Sequence, residues 1–472
     1  MNTHPSIYAS AMESLEINES FETALHFINE TNENIFISGN AGTGKTSFLK
    51  YIISHCPKNI VVAAPTGIAA LNAGGVTLHS LFQLPFTPYI PTNEYKAELV
   101  KSIKINQSKL DLLRQMDILV IDEISMVRCD VLDAMDTVLR SVRDQHITPF
   151  GGAQLLFIGD LNQLPPVAKE DEWKLLGQYY PSPYFFDSKI ISDNFPINIE
   201  FTKIYRQKES SFIELLNKVR NNKLTQEDIL KLNSKYIAHF DPPVDENYIT
   251  LTSHNNIANR INHTKLDSIE ATECTYTAEI WGDFPNYMLP NDAELTLKVG
   301  AQVMFIKNDN VNKQYFNGKI GVVHSLNDEK IVVDCDGSFI QVGKEQWENT
   351  RYSITKASGT VKQEVIGSYT QIPVKLAWAI TIHKSQGLTF DKVMIDAAHS
   401  FSSGQVYVAL SRCKSLDGIV LLSRLGQHAI HYDGRIDEGV DKMKFKGRLD
   451  ELLKQSRSKY QWSLIEALFQ CT

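Results

Sequence analysis

Short, continuously apolar runs alternate along this chain with segments of helical spacing. Ile35-Phe36-Ile37 is one such run, and Asn59 to Ala64, Asp117 to Ile121 and Gln154 to Ile158 repeat it. Runs without polar alternation predict strands of a parallel sheet covered on both faces. Between them, Glu19 to Asn29, Ser47 to Ser54 and residues 130–144 read as helices. In the last of these Val131, Ala134, Val138 and Val142 share one stripe, with Arg140 and Arg143 off it. The alternation predicts an α/β unit of the mononucleotide-binding kind over residues 1–195. Residues 85–110 depart from it, with three prolines, Phe86, Tyr89, Tyr95 and several lysines, and read as a surface insertion.

A second α/β unit begins near Ile197, with a helix from Ser211 to Arg220, a strand from Tyr248 to Thr252 and a helix from Asn255 to Leu266. Residues 280–370 interrupt it with short alternating strands. Asn317-Gly318 precedes Lys319 to His324, and Asp336-Gly337 separates Lys330 to Asp334 from Ser338 to Val342, a strong hairpin signal. The α/β pattern returns over 371–424, and 425–472 is polar, then basic and helical, either a packed accessory or a mobile tail. At 472 residues the chain is too long for one core.

Composition narrows the class only a little. Hydrophobic residues at 43% and charged residues at 22% are ordinary for a soluble globular protein, with no membrane-length apolar run. The N-terminus lacks the order of a signal peptide, and six scattered cysteines (56, 129, 274, 335, 413, 471) form no C-x-x-C pair. These features predict a cytoplasmic protein without a disulfide framework or structural zinc. A net charge of −8 disfavours a nucleic-acid partner at first sight. A basic channel can nevertheless sit on an acidic body, and basic residues cluster in Lys96 to Lys109 and Lys442 to Lys459.

Candidate chemistry settles more. GNAGTGKT, Gly39 to Thr46, matches G-x-x-x-x-G-K-[ST] between a strand and a helix. Gly39, Ala41, Gly42, Thr43 and Gly44 supply inward-pointing amides, Lys45 a charge for the β- and γ-phosphates, and Thr46 a hydroxyl for magnesium. Asp122-Glu123 ends an apolar strand, where Asp122 suits magnesium and Glu123 the activation of water; an acidic helix start is the alternative. Gln163 in GDLNQLPPV suits a γ-phosphate contact, and equally a loop amide before Pro-Pro. Arg206 in IYRQ and Arg412 in VALSRCKS reach a nucleotide lying between the two units, unless each is a surface ion pair. Thr66, Gly67 and His79 (PTG…VTLHS) with Thr381, His383 and Lys384 (TIHKSQG) suit sugar-phosphate contacts without sequence information. Phe82, Phe86, Tyr89 and Trp378 are candidate base-stacking rings, with a core position the competing reading for Phe82 and the favoured one for Trp378.

Taken in order, GNAGTGKT, APTGIAALNAGGVTLHS, VIDEISMV, GDLNQLPPV, YRQ, NGKIGVV, AITIHKSQGLTF and VYVALSRCKS resemble the superfamily 1 helicases. Within them the chain is most similar to the petite-integration-frequency DNA helicases, relatives of RecD and Dda, from about Ile35 to Leu422. The resemblance implies an ATP- and magnesium-dependent DNA helicase moving 5′ to 3′ on single strands and engaging single-strand/duplex junctions, with a monomeric core and no membrane association. It implies an α/β fold of two RecA-like domains, a wedge at 85–110 in the first and a Src-homology-type β-barrel at 280–370 in the second. Lys45, Glu123, Gln163, Arg206 and Arg412 become catalytic, Gln386 and Gly387 join the nucleotide site, and Thr66, His79, Thr381 and His383 fall beside DNA-contacting segments. The compact length fits a bacterial or phage-like, nucleoid-associated version. One departure stands out: the family's adenine-reading glutamine aligns with Phe21. Rival readings are an RNA-directed motor and an ATPase that remodels protein–DNA complexes without separating strands.

Overall fold

The computed structural model describes residues 18–243, 246–309, 312–354, 361–396, 404–426, 432–445 and 447–470. Cys471 and the N-terminal stretch read for a signal peptide lie outside the described residues.

Six parallel strands form the first sheet: β1 (Ile35–Gly39), β2 (Ile60–Ala64), β3 (Val76–Thr77), β4 (Ile118–Ile121), β5 (Gln154–Ile158) and β6 (Ile197–Phe201), in the order β3-β2-β4-β5-β1-β6. Every residue of β1, β4 and β5 is buried because both faces are covered. Phe36, Leu119, Ile121, Leu155 and Phe157 face the helix Cys129–Val142, while Ile35, Ile37, Ile118, Val120 and Leu156 face the helices Glu19–Glu30 and Lys45–His55. Registers Ile121↔Phe157 and Ile37↔Ile158 bring the ends of β4, β5 and β1 to one level. That level is where the site forms.

A second parallel sheet has four strands in the order Ala379–Thr381, Ile249–Thr252, Val393–Ile395, Ile419–Leu421. Phe212, Leu215, Leu216 and Val219 of the helix Ser210–Arg220 share its core with the helix Gln405–Ser411. The intervening chain is antiparallel. Five strands run in the order Ser338–Gly343, Lys330–Cys335, Ile320–Leu326, Gln302–Phe305, Val374–Leu376, and Asp336 and Gly337 turn one hairpin with φ of 55° and 85°. The two-stranded and three-stranded sheets beside them begin at Glu273.

Three segments sit closer to the first unit than their sequence implied. Ile197, read as the start of the second unit, instead opens β6, which pairs with β1 at the edge of the first sheet, so the second unit begins after Phe201. The helices Asn93–Ser102 and Gln107–Gln115 fill much of the 85–110 region. Tyr89 there is buried, 2.7 Å from Thr137 Oγ1 through its hydroxyl, whereas Phe86 is 84% exposed. The tail folds back: Ile436 and Met443 enter the first core, and the helix Leu449–Gln470 lies on Glu19–Glu30. Arg457 pairs with Glu30, Ser456 donates to Glu33 (2.7 Å), and Lys58 Nζ lies 4.6 Å over the Tyr460 ring.

The strand Glu345–Ile354 also reaches the first sheet. Tyr352 is buried in the first core, where its hydroxyl accepts the Val62 N–H (3.2 Å) and donates to Gly74 O (3.4 Å). Because β3 has only two residues, this hydroxyl takes the place of a longer neighbouring strand at Val62. Tyr352→Phe leaves that buried amide without its acceptor, and urea denaturation is expected to read a loss of about 1–3 kcal/mol.

Candidate nucleotide-binding site

β1 ends at Gly39 and the helix Lys45–His55 starts as the loop closes. Gly42 and Gly44 hold φ of 84° and 86°, which curls the loop. Of the amides expected to point inward, those of Ala41 and Thr43 instead donate to the Tyr407 hydroxyl (3.1 Å) and to Asn40 O (3.4 Å). Gly42 has a second constraint: a Cβ there would lie 2.6 Å from Arg206 Cβ. Lys45 Nζ donates to Gly39 O (2.8 Å) and Asn40 O (2.9 Å). Burial pulls its pKa below the usual lysine value, against the pull of the Asp160 and Glu123 carboxylates.

Asp122 and Glu123 follow β4, and Glu123 adopts φ of 53° while its N–H donates to Asp122 Oδ1 (3.0 Å). Burial, then the neighbouring Glu123, raises the Asp122 carboxyl to about 7. Burial raises Glu123 as well, against Lys45 and Arg412. Asp160, which ends the next strand, goes the other way: Arg220 and Lys45 outweigh burial and hold it ionised below its usual range. Its ion pair with Arg220 Nη2 measures 3.0 Å.

The other wall comes from the second unit. Arg206 Nη1 donates to Ser411 O (3.3 Å). Arg412, 1% exposed, donates through Nε to Val408 O (3.0 Å) and through Nη2 to Ser411 Oγ (2.8 Å). Burial and then Arg206 lower its pKa to about 9. A cavity of about 610 Å³ is lined jointly by Ala41 to Thr46, Asp122, Glu123, Gln163, Arg206, Gly387 and Arg412. Gln386 sits just behind, its Nε2 3.4 Å from Gln163 Oε1. The loop's Gly39 is beneath, its carbonyl held by Lys45. Phe21, at the first turn of the helix capped by Asn18, is buried under the loop, stacked on Phe201 at 4.5 Å and edge-on to Phe48 at 5.0 Å.

The residues expected on nucleic acid divide. Thr66 caps the helix Gly67–Ala73 by accepting the Ala69 N–H (3.2 Å), and Gly67 lies against Tyr287. The His79 ring stacks on exposed Phe86 at 4.8 Å and 13°, and burial followed by Arg128 lowers its pKa. His383 and Lys384 form the turn after the strand Ala379–Thr381, with Lys384 N–H donating to buried Thr381. Phe82 must be corrected. It is fully buried in the first core beside Leu78 and Leu81, so its ring is unavailable for stacking on bases. Tyr89 is likewise buried, and Trp378 packs half-buried against the β-rich core.

Asp160, Arg220 and Tyr407 belong to this seam and were not singled out from sequence. Asp160 carried a signal, since it ends β5 as Asp122 ends β4; Arg220 and Tyr407 carried none beyond their neighbours in chain.

A phosphate loop and an acidic pair at the strand ends of one parallel sheet, faced by two arginines flanking helices of the second unit, define an α/β P-loop protein with its site between two units. More narrowly, the chain belongs to the PIF1-like helicase family, whose model matches residues 16–229. It is 30% identical over 419 residues to ATP-dependent DNA helicase Pif1 of Campylobacter jejuni, covering 83% of this chain and 89% of that one. It is 35% identical over 414 residues to human ATP-dependent DNA helicase PIF1, covering 86% of this chain; it spans 60% of the human protein's length. Bacteroides sp Pif1 in complex with ADP-AlF4 matches with a TM-score of 0.83 at 42% identity, over 91% of this chain and 97% of that one. The Bacteroides protein bound to single-stranded DNA matches at 0.66, with 41% identity and the same coverages.

The raised Asp122 pKa generates a prediction. Between its ordinary 3.8 and about 7 the folded chain keeps a proton that the unfolded chain has lost, so stability falls as pH rises through that window. In nucleotide-free protein, Asp122→Asn is expected to flatten this part of the plot of melting temperature against pH.

Proposed function

We propose that the protein is an ATP-dependent DNA helicase that moves 5′ to 3′ on single-stranded DNA and unwinds duplex or structured DNA. The observation that carries this is the single cavity walled by Lys45, Asp122, Glu123 and Gln163 on one side and Arg206 and Arg412 on the other. Lys45 and the loop amides hold the triphosphate, and Gln163 reads its last phosphate. Glu123 orients the attacking water and takes its proton, a task suited to a buried carboxylate with raised proton affinity. Arg206 and Arg412 offset the charge that develops on the transferred group, so turnover requires both units together.

Magnesium fits the oxygen donors of Thr46 and Asp122 on the cavity wall. When bound there it would neutralise phosphate charge. We read the two parallel sheets as RecA-like domains, 85–110 as a wedge presenting Phe86, and 280–370 as a barrel-type insertion. Thr66, Gly67 and His79 on the first domain, with Thr381, His383 and Lys384 on the second, then track the strand through its backbone. Binding is accordingly salt-dependent and nearly sequence-blind. With bacterial relatives such as the Campylobacter protein in support, we assign the protein to the cytoplasm with the nucleoid. Among the described residues no helix is long and apolar enough to cross a membrane.

Strand displacement on matched duplexes with 5′ DNA, 3′ DNA or 5′ RNA tails tests the reading. Unwinding is expected on the 5′ DNA tail. Activity confined to the 3′ tail refutes the polarity, equal activity on RNA refutes the substrate, and stimulated hydrolysis without displacement favours a remodelling ATPase.

A further inference from the structure

Asp160 is fully buried at the end of β5, and its two carboxylate oxygens are shared among separate parts of the chain. Arg220, in the last turn of the helix Ser210–Arg220, donates to Oδ1 through Nη2 (3.0 Å) and Nε (3.2 Å). The Tyr407 hydroxyl donates to Oδ2 (3.3 Å) and accepts the Ala41 N–H of the phosphate loop (3.1 Å). Gln163 Nε2 also donates to Oδ2 (3.3 Å). The helix that carries Tyr407 arrives so close that a Cβ at Gly404 would fall 2.0 Å from Gln163 O.

Ala41 and Asp160 follow β1 and β5 of the first sheet, while Arg220 and Tyr407 lie on helices of the second unit, against whose core Ala41 packs. These bonds therefore exist only when the units are together. Arg206 lies four residues before the helix that ends at Arg220 and donates to Ser411 O (3.3 Å), and Arg412 immediately follows the helix Gln405–Ser411 that carries Tyr407. A contact that fixes these two helices therefore bears on both arginines.

We propose that Tyr407 and Arg220, both gripping Asp160, are positioning residues that hold Arg412 and Arg206 over the phosphate loop. This deepens the proposed nucleotide site and rests on that reading. The grip favours the arrangement in which both arginines face the transferred phosphoryl group, and contributes little to binding nucleotide as such. Tyr407 also links the loop backbone to the second unit directly, beside the bond from Asn40 Nδ2 to Asn217 Oδ1 (2.7 Å).

Tyr407→Phe in the full chain removes both hydrogen bonds and keeps the ring in the second core. With saturating single-stranded DNA, kcat is expected to fall about tenfold while KM for ATP stays within about threefold. The preference for ADP–aluminium fluoride over ADP, measured by direct binding, is expected to fall in parallel. Arg220→Gln should reproduce the split, and Arg220→Lys should recover part of it. Unchanged kcat and analogue preference in Tyr407→Phe overturn the proposal. So does an equal loss of ADP and analogue affinity, which marks a merely structural role. Absence of DNA-stimulated turnover in the unmodified chain refutes the functional reading instead, and the analogue preference still decides on Tyr407.

Discussion

The structure depends on keeping a set of buried charges in balance across one seam. Lys45, Asp122, Glu123 and Asp160 come from the first unit, Arg206, Arg220 and Arg412 from the second. None would be tolerated in such a place alone, since an unpaired buried charge is strongly destabilising. Asp160 stays ionised because Arg220 and Lys45 face it, while Asp122 is pushed toward neutrality and Arg412 is held well below its usual value. The seam is thus an incompletely compensated field. A polyanion with a divalent cation fits such a field, and charge entering on one wall is felt on the other.

Parallel sheet geometry makes the balance possible. The order β4-β5-β1 with matched registers sets Gly39, Asp122 and Asp160 at neighbouring strand ends. Arg220 and Arg412 come from the ends of helices packed on the second core, so their positions follow rigid-body placement of that unit, while Arg206 lies in the connection from β6, beside the Tyr205 N–H that donates to Gly42 O (2.8 Å). The tail strengthens the first unit from behind, through the helix Leu449–Gln470 on Glu19–Glu30. The same helix Glu19–Glu30 carries Phe21 beneath the phosphate loop. A glutamine there would have offered hydrogen bonds, whereas Phe21 fills the core against Phe48 and Phe201.

Strand runs such as Ile118–Ile121 and motifs such as Gly39 to Thr46 were legible because each is local: a buried strand and a curled loop declare themselves in a few residues. What failed was mostly a question of which face. In the helix Leu78–Phe82, Leu78, Leu81 and Phe82 point inward and His79 outward. The i, i+3, i+4 spacing held that answer, but proximity to His79 drew Phe82 into the nucleic-acid group. Tyr89 and Phe86 divide in the same way, one ring inward and one outward. Tyr352, Tyr407 and the tail were illegible for a different reason. Their partners, Val62, Ala41 and Glu30, are hundreds of residues away, and no periodicity encodes such pairings.

The central claim is that hydrolysis needs an arginine delivered by the second unit to a nucleotide already held by the first. DNA-stimulated ATP turnover and nucleotide affinity of Arg206→Ala, measured side by side, test it most directly. Turnover is expected to fall by about a hundredfold or more, with affinity for ADP changed only a few-fold. Turnover at the level of the unmodified chain would contradict a shared site.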